Sequence, residues 1–291
     1  MSDYSLFSKG GCLNLVFKLT EILYNKFYIY PRIGVEIEFY LQSMQVVDNI
    51  KKYQIANFTN RLFQLGYQII PEDRYNQFEL ILKPSSKTLD LCEHINFCKS
   101  LLQETALELN MDVIFPPTNS CPKTDAGTHY HLSLHDCKGN NLFAVEKVVN
   151  GSFISKIAGS MLDILQGSMY YLCGNNDIEY RRFLPSKTSP SSVSWGKNNR
   201  TVAVRVPTSA KENRRLEFRV PSAAVNHEKV IFWLLFTVLR AMHEKTREFA
   251  IIYGDAFDKQ YKQEALPTCL SEAKENDNFE KIFMEIIKYY S

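Results

Sequence analysis

The chain has 291 residues, of which 45% are hydrophobic and 23% are charged, an ordinary composition for a folded globular protein. Its 34 basic and 32 acidic residues leave a formal net charge of +2, which excludes a strong overall field for nucleic acid or an anionic membrane. The seven cysteines include no Cys-x-x-Cys pair, so we predict neither a zinc ribbon nor a disulfide framework, and we expect a reducing, cytoplasmic location.

Four segments repeat apolar residues at the spacing of amphipathic helices: residues 46–65, 86–110, 152–172 and 226–247. Gly66 follows the first segment as a C-cap, and Asn226 opens the last one as an N-cap. The last segment contains the most apolar run of the chain, residues 230–239, which falls well short of the ~20 residues needed to span a bilayer. We therefore predict packed helices and no membrane partner.

A stretch rich in proline, serine and asparagine, residues 175–199, separates the third and fourth predicted helices. Connections of this length inside a compact domain are usually functional loops or disordered segments. Arginines lie within the stretch and just beyond it, at Arg181, Arg182, Arg200 and Arg205. Their presence favours a functional loop, which could exclude water from a reaction site.

Five other segments alternate apolar and charged side chains, as half-buried strands do: residues 32–39, 75–82, 127–133, 201–206 and 215–220. The simplest interpretation is an antiparallel sheet that packs on helices and exposes its other face to water. However, lysine, the usual surface cation, is missing from all five segments, and their charged positions are glutamate or arginine. This bias indicates that the polar face of the sheet has a chemical role.

Two of the predicted strands place like ligands on one face. Glu36 and Glu38 share a face of the first strand, and His129 and His131 share a face of the third. Such neighbours lie ~7 Å apart, and like charges there are favourable only when a cation separates them. Carboxylates with one imidazole suit Mg²⁺ or Mn²⁺ better than zinc, while arginines suit phosphate and carboxylate groups. Together these residues indicate phosphoryl-transfer chemistry.

The motif-bearing stretches follow one another in the order found in glutamine synthetases. They are residues 34–41 (GVEIEFYL), 72–79 (EDRYNQFE), 127–134 (GTHYHLSL), 139–143 (GNNLF), 180–185 (YRRFLP), 195–207 (WGKNNRTVAVRVP), 214–221 (RRLEFRVP) and 266–273 (LPTCLSEA). Each stretch alone is moderately specific, but the ordered set covers most of the chain. The sequence therefore resembles the catalytic domain of the glutamine synthetase family, and its motifs are most similar to those of the family's γ-glutamyl-polyamine ligases.

The resemblance implies an α+β fold, in which a curved antiparallel β-sheet is backed by helices. It also implies one catalytic domain over residues 1–291, with its motif-bearing core at about 30–273. Family members carry a small N-terminal β-grasp domain before the first motif. Because that motif begins here near Arg32, we expect the β-grasp domain to be absent and any homo-oligomer to have a reduced interface.

The resemblance also implies residue roles by motif position. It implies two sites for Mg²⁺ or Mn²⁺, one held by Glu38, Glu72 and Glu79 and the other by Glu36, His129 and Glu217. It implies ATP contacts at His131, Ser133, Arg205 and Arg215. It implies catalytic roles for Arg200 and Arg205, and contacts with the amino-acid substrate at Arg182, Arg200 and Arg219.

The implied reaction is that of an ATP- and metal-dependent ligase of nitrogen metabolism. It joins the γ-carboxylate of L-glutamate to ammonia or a primary amine through a γ-glutamyl phosphate, so the expected partners are small molecules and not nucleic acid. Two sites depart from the family pattern. Thr124 and Asp125 stand where an Asn-Gly pair contacts glutamate, and Thr188 stands where a glutamate binds ammonium. The second departure favours a larger amine over ammonia.

Two other hypotheses remain open at the level of sequence. The chain could be a non-catalytic relative that binds nucleotide or metal, or an unrelated binding protein built on a sheet. Turnover of ATP would separate the ligase from the non-catalytic relative. Loss of nucleotide binding on replacement of Glu38 and His129 would argue against the unrelated protein.

Overall fold

The structure, a computed structural model, describes residues 11–44, 48–72, 74–116, 125–144, 147–184 and 189–290. Its helices are α1 (Gly11–Phe27), α2 (Asp48–Gln64), α3 (Thr88–Glu108), α4 (Phe153–Cys173), α5 (Asp177–Tyr180), α6 (His227–His243), α7 (Leu270–Asn276) and α8 (Phe279–Ile287). Its strands are β1 (Tyr30–Ser43), β2 (Gln68–Pro71), β3 (Gln77–Ser85), β4 (Met111–Ile114), β5 (Thr128–His135), β6 (Trp195–Lys197), β7 (Val204–Val206) and β8 (Leu216–Phe218).

The strands form one eight-stranded sheet in the order β2-β3-β1-β5-β8-β7-β6, and β4 pairs with β1 beyond that path. The sheet has open edges and is not a barrel. Every pairing is antiparallel except that of β6 with β7, which is parallel. The predicted α+β fold is confirmed, with the correction that the sheet is mixed. The parallel pair arises because residues 198–203 lead the chain back to the start of β6, where Trp195 lies opposite Val204.

The long strand β1 shows why the sheet has one apolar face and one charged face. Its side chains alternate, so that Val35, Ile37 and Phe39 have no exposed surface. These residues belong to a hydrophobic core shared with α1, α3, α4 and α6. Glu36 and Glu38 therefore point to the opposite face of the sheet, away from the helices. Burying the apolar row fixes the register, since a shift of one residue would exchange the two faces.

Four of the helices match the four predicted amphipathic segments. Helices α2, α3, α4 and α6 correspond to the four amphipathic segments, with differences of a few residues at their ends. Helix α1 is absent from the predicted elements, although Cys12, Val16, Leu19 and Leu23 line its buried face. Among the helices that the structure describes, none is both long and apolar enough to cross a membrane. The extent of the single domain over residues 1–291 stays a prediction.

Candidate active site

Strand pairing brings the predicted metal-binding residues to one place on the polar face of the sheet. The neighbouring strands β3, β1, β5 and β8 each contribute to it. Three cross-strand pairs are involved: Glu38 opposite Glu79, Glu36 opposite His129, and Glu217 opposite His131. One cavity of about 260 Å³ contains all six predicted metal ligands in its lining, together with His131. Residues from separate stretches of the sequence thus converge.

Glu36 lies at the centre of this cluster. Its carboxylate approaches His131 Nε2 at 2.9 Å and His129 Nδ1 at 3.7 Å. It belongs to two groups whose donor atoms lie within 4.8 Å of one another, one with Glu79 and His129 and one with His131 and Glu217. This grouping differs from the predicted one, because strand register places His131 among the donors and not only near the nucleotide. Glu38 approaches the cluster through His129 Nε2, at 3.8 Å.

The electrostatics of the cluster suit a divalent cation. Glu79 is 8% exposed, and its burial together with the charges of Glu36, Glu72, Glu38 and Glu217 raises its pKa to about 8. For Glu36, burial opposes ionisation, but hydrogen bonds with His129 and His131 hold its pKa well below its usual range. Crowded carboxylates beside imidazoles form a donor set that Mg²⁺ or Mn²⁺ would stabilise. The residues present therefore fit the metal that the resemblance implies.

The raised pKa of Glu79 predicts how stability depends on pH. Folding raises this pKa from its ordinary value of 4.5 to about 8, so the folded state holds the proton more tightly than the unfolded state. The stabilising effect of that proton is complete below pH 4.5 and is lost as the pH rises towards 8. We expect the Glu79→Gln variant to lose this part of the pH dependence in thermal unfolding with a chelator present. Equal pH dependence of the variant and the parent chain would contradict the shift.

Two buried arginines, Arg182 and Arg219, and the half-buried Arg205 border the cluster, and Arg205 and Arg219 hold Glu217. The Glu217 carboxylate is 1% exposed and accepts hydrogen bonds from Arg205 Nη1, at 2.8 Å, and from Arg219 Nη1. Within the described part of the chain, the Nε atoms of Arg182, Arg205 and Arg219 are buried without a hydrogen-bond partner. Buried N–H groups of this kind are costly unless an acceptor reaches them. A substrate carboxylate or phosphate would supply that acceptor.

A second cavity, of about 480 Å³, adjoins the cluster and shares Glu36, His131 and Arg215 with it. Of the predicted ATP contacts, His131, Ser133 and Arg215 line this cavity, whereas Arg205 lines the cavity of the donor cluster. Arg215 Nε donates to His131 Nδ1 at 3.0 Å. Three of the four predicted nucleotide contacts thus surround one volume beside the donor cluster.

A third cavity, of about 250 Å³, adjoins the cluster where Glu38, Glu72 and Arg200 lie. All three predicted contacts of the amino-acid substrate line it, namely Arg182, Arg200 and Arg219. Gly127 allows this close packing. A Cβ atom at position 127 would lie 3.1 Å from His129 Nε2 and 3.2 Å from Arg182 Nη2. A side chain there would therefore press against both Arg182 and His129.

The third cavity contains three residues with no predicted role, namely Arg74, Gln77 and Ser189. Asp125, which stands where family members contact glutamate, lines the same cavity. Arg74 and Gln77 lie inside the 72–79 motif, between Glu72 and Glu79, so their position in that motif was the available signal. Nothing in the sequence pairs Arg74 with a residue 51 positions away. The departures at Thr124 and Thr188 lie outside the described residues.

Comparisons with known proteins identify relatives of this chain. Residues 64–288 match the family model described as glutamine synthetase, catalytic domain. The γ-glutamylputrescine synthetase PuuA of Escherichia coli K12 is 27% identical over 88% of this chain and 61% of its own length. A glutamate–isopropylamine ligase of a Pseudomonas species is 29% identical over 62% of this chain and 39% of its own length. The chain therefore spans less than two thirds of the length of these relatives.

Solved structures show the same fold. A complex of GmaS with ADP aligns with a TM-score of 0.73 at 21% identity, over 91% of this chain and 67% of that chain. GmaS without ligand aligns with a TM-score of 0.74 over 94% of this chain and 68% of that chain. At this identity the likeness concerns the fold alone. The match to the catalytic-domain family model, which covers most of the chain, shows that this protein belongs to the glutamine synthetase family.

Proposed function

We propose that the chain catalyses ATP-dependent formation of an amide between the γ-carboxylate of L-glutamate and a primary amine or ammonia. One observation carries the proposal. The cluster of carboxylate and imidazole donors lies between the cavity lined by the predicted nucleotide contacts and the cavity lined by the predicted amino-acid contacts, and it shares residues with both. A phosphoryl group could therefore pass from one cavity to the other across the cluster.

The residues proposed to hold Mg²⁺ or Mn²⁺ are Glu36, Glu38, Glu72, Glu79, His129 and Glu217, with His131 beside them. When bound, the metal would neutralise charge on the phosphate oxygens of ATP. The protein itself supplies the rest of the positive charge. Arg205 and Arg215 are proposed to face the phosphates, since both line the cluster next to the nucleotide cavity.

The chemistry needs two displacements. An oxygen of the glutamate γ-carboxylate attacks the γ-phosphorus of ATP and ADP leaves, which gives an acyl phosphate. The amine nitrogen then attacks the acyl carbon, the carbon–oxygen bond to phosphate breaks, and the nitrogen loses a proton. Arg182 and Arg219 are proposed to hold the carboxylates of glutamate, because their buried Nε groups have no other acceptor among the described residues. Arg200, which lines the amino-acid cavity and the cavity of the donor cluster, is proposed to contact the transferred group.

The comparisons favour an amine over ammonia. The relatives include a γ-glutamylputrescine synthetase, a γ-glutamylethanolamide synthetase, a glutamate–methylamine ligase and a glutamate–isopropylamine ligase. They also include glutamine synthetases. The sequence agrees with this preference, since Thr188 provides no carboxylate for an ammonium ion. An amine with a carbon substituent is therefore the proposed second substrate.

The proposal is tested by turnover of ATP with Mn²⁺, L-glutamate and a panel of ammonia, methylamine, isopropylamine, ethanolamine and putrescine. We expect ADP release that depends on one of the carbon-substituted amines, with the matching γ-glutamyl amide detected by mass spectrometry. Absence of ADP release with every amine would overturn the proposal. Binding of nucleotide without turnover would instead support the non-catalytic relative.

Arg182→Met provides the sharpest variant for the same assay. Loss of hydrogen bonds between a buried guanidinium and a carboxylate should lower kcat/KM by about 100-fold. Arg181→Met is the matched control, because the neighbouring Arg181 is 62% exposed and pairs only with Asp177, at 3.8 Å, among the described ion pairs. Equal effects of the two substitutions would contradict the role of Arg182.

A further inference from the structure

An ion pair that joins two distant segments lies in the amino-acid cavity. Arg74, in the turn between β2 and β3, donates through Nη1 to Asp125 Oδ1. The other carboxylate oxygen of Asp125 accepts a hydrogen bond from Ser189 Oγ at 2.7 Å. The two side chains are only 26% and 15% exposed, so water screens the pair poorly. Both line the same cavity as Arg182.

Asp125 lies next to the residues that hold the substrate-binding arginine. The carbonyl oxygen of Ala126, the following residue, accepts a hydrogen bond from Arg182 Nη1 at 3.0 Å. Arg182 is 5% exposed, and its Nε has no acceptor in the part of the chain that the structure describes. Burial opposes ionisation of Asp125, but Ser189 and the charges of Arg182 and Arg74 together lower its pKa. The carboxylate of Asp125 thus lies close to Arg182, the arginine that is proposed to bind a carboxylate of the substrate.

These contacts present a problem of competition. An unrestrained carboxylate beside a buried guanidinium forms an ion pair with it. Such a pair would occupy the donors of Arg182 that a substrate carboxylate needs. In the structure, Asp125 is turned instead towards Arg74 and Ser189.

We propose that Arg74 is a positioning residue that restrains the carboxylate of Asp125 and so keeps Arg182 available for the substrate carboxylate. The carboxylate that binds Arg182 belongs to the acyl donor, which is an α-amino dicarboxylate. This identity of the ligand rests on the proposed function. Arg74 acts through Asp125 and does not contact the reacting atoms. The pair therefore sets the affinity of the cavity for the acyl donor and leaves the nucleotide cavity unchanged.

Three variants test the competition: Arg74→Ala, Asp125→Ala and the double variant. Binding of L-glutamate is measured by calorimetry with Mn²⁺ and ADP present, so that the result does not depend on turnover. In Arg74→Ala, the released Asp125 should compete for Arg182 and weaken glutamate binding by at least about 10-fold. The double variant should recover most of that loss, because the competing carboxylate is gone. The affinity for ADP should change less than about 2-fold in all three.

The matched control is Arg61→Ala, which breaks an exposed ion pair with Glu108. The side chain of Arg61 is 46% exposed and that of Glu108 is 68% exposed. This variant should leave the affinity for glutamate unchanged. A double variant that binds glutamate no better than Arg74→Ala would overturn the inference and assign the pair a purely structural role. Absence of glutamate binding in the unaltered chain would overturn the assignment of the cavity itself. Glutamate binding without amide formation would contradict the proposed ligase activity but leave the inference intact.

Discussion

Replacement of Glu36 by glutamine is expected to weaken Mn²⁺ binding by more than about 100-fold and to abolish amide formation. Changes in residues that only support a ligand cost about 10- to 100-fold in metal affinity, so loss of a direct ligand should cost more. Glu36 belongs to both groups of converging donors, so one substitution removes a carboxylate from each. Glutamine keeps the shape of the side chain and one acceptor oxygen, but it removes the charge and replaces the other oxygen by an amide NH2. Calorimetric titration of the variant with Mn²⁺ measures the change in affinity.

Glu104→Gln is the matched control for that substitution. Glu104 lies on the exposed face of α3, away from the donor cluster, and should retain the Mn²⁺ affinity of the parent chain. If Glu36→Gln binds Mn²⁺ as tightly as this control, then the convergence of donors at Glu36 is not a metal site.

Replacement of Glu217 by alanine is expected to lower the free energy of unfolding by about 3–5 kcal/mol. Glu217 is 1% exposed and holds the guanidinium groups of Arg205 and Arg219. Its removal leaves two cations in the interior without their shared counter-ion. Loss of Glu217 also relieves its repulsion with Glu79, but the charge of Glu217 contributes less to the raised pKa of Glu79 than burial and the charges of Glu36, Glu72 and Glu38 do. Destabilisation should therefore prevail.

The measurement is urea unfolding in the presence of a chelator, so that metal binding does not contribute to the difference. Glu108→Ala is the control, because it removes one partner of the exposed pair with Arg61 and should cost no more than about 1 kcal/mol. A Glu217→Ala variant as stable as this control would show that the buried arginines do not depend on Glu217.

Alternation along single strands was the most informative signal in the sequence. In β1 the rule that successive side chains face opposite sides placed Glu36 and Glu38 together, and the buried row of Val35, Ile37 and Phe39 confirms that assignment. The same rule placed His129 with His131 on β5. These predictions succeeded because they concern neighbours within one strand, where backbone geometry alone decides the face.

Features that depend on pairing between strands could not be obtained in the same way. The donor groups around Glu36 follow from the register of β1 with β5 and β3, which places His129 and His131 at different distances from one carboxylate. The parallel pairing of β6 with β7 depends on the path of the loop between them. Both are tertiary properties, and no periodicity in the sequence encodes them.

The ion pair of Arg74 with Asp125 illustrates a second limit. Each residue alone is consistent with an exposed turn, and 51 positions separate them. Their contact forms because the β2–β3 turn and the segment before β5 meet at the end of β1, where Gln77 also reaches Glu38 at 3.2 Å. Helix α1 shows the opposite situation. Its buried residues have clear helical spacing, so the sequence does contain the signal for this helix.

We propose that carboxylate and imidazole side chains from four strands and the adjoining turn form one centre for divalent cations. Calorimetric titration of the unaltered chain with Mn²⁺ near neutral pH tests it most directly. We predict saturable binding with release of protons, since cation binding would displace the proton that Glu79 retains at its raised pKa of about 8. Absence of saturable binding, with the fold intact by circular dichroism, would contradict the claim.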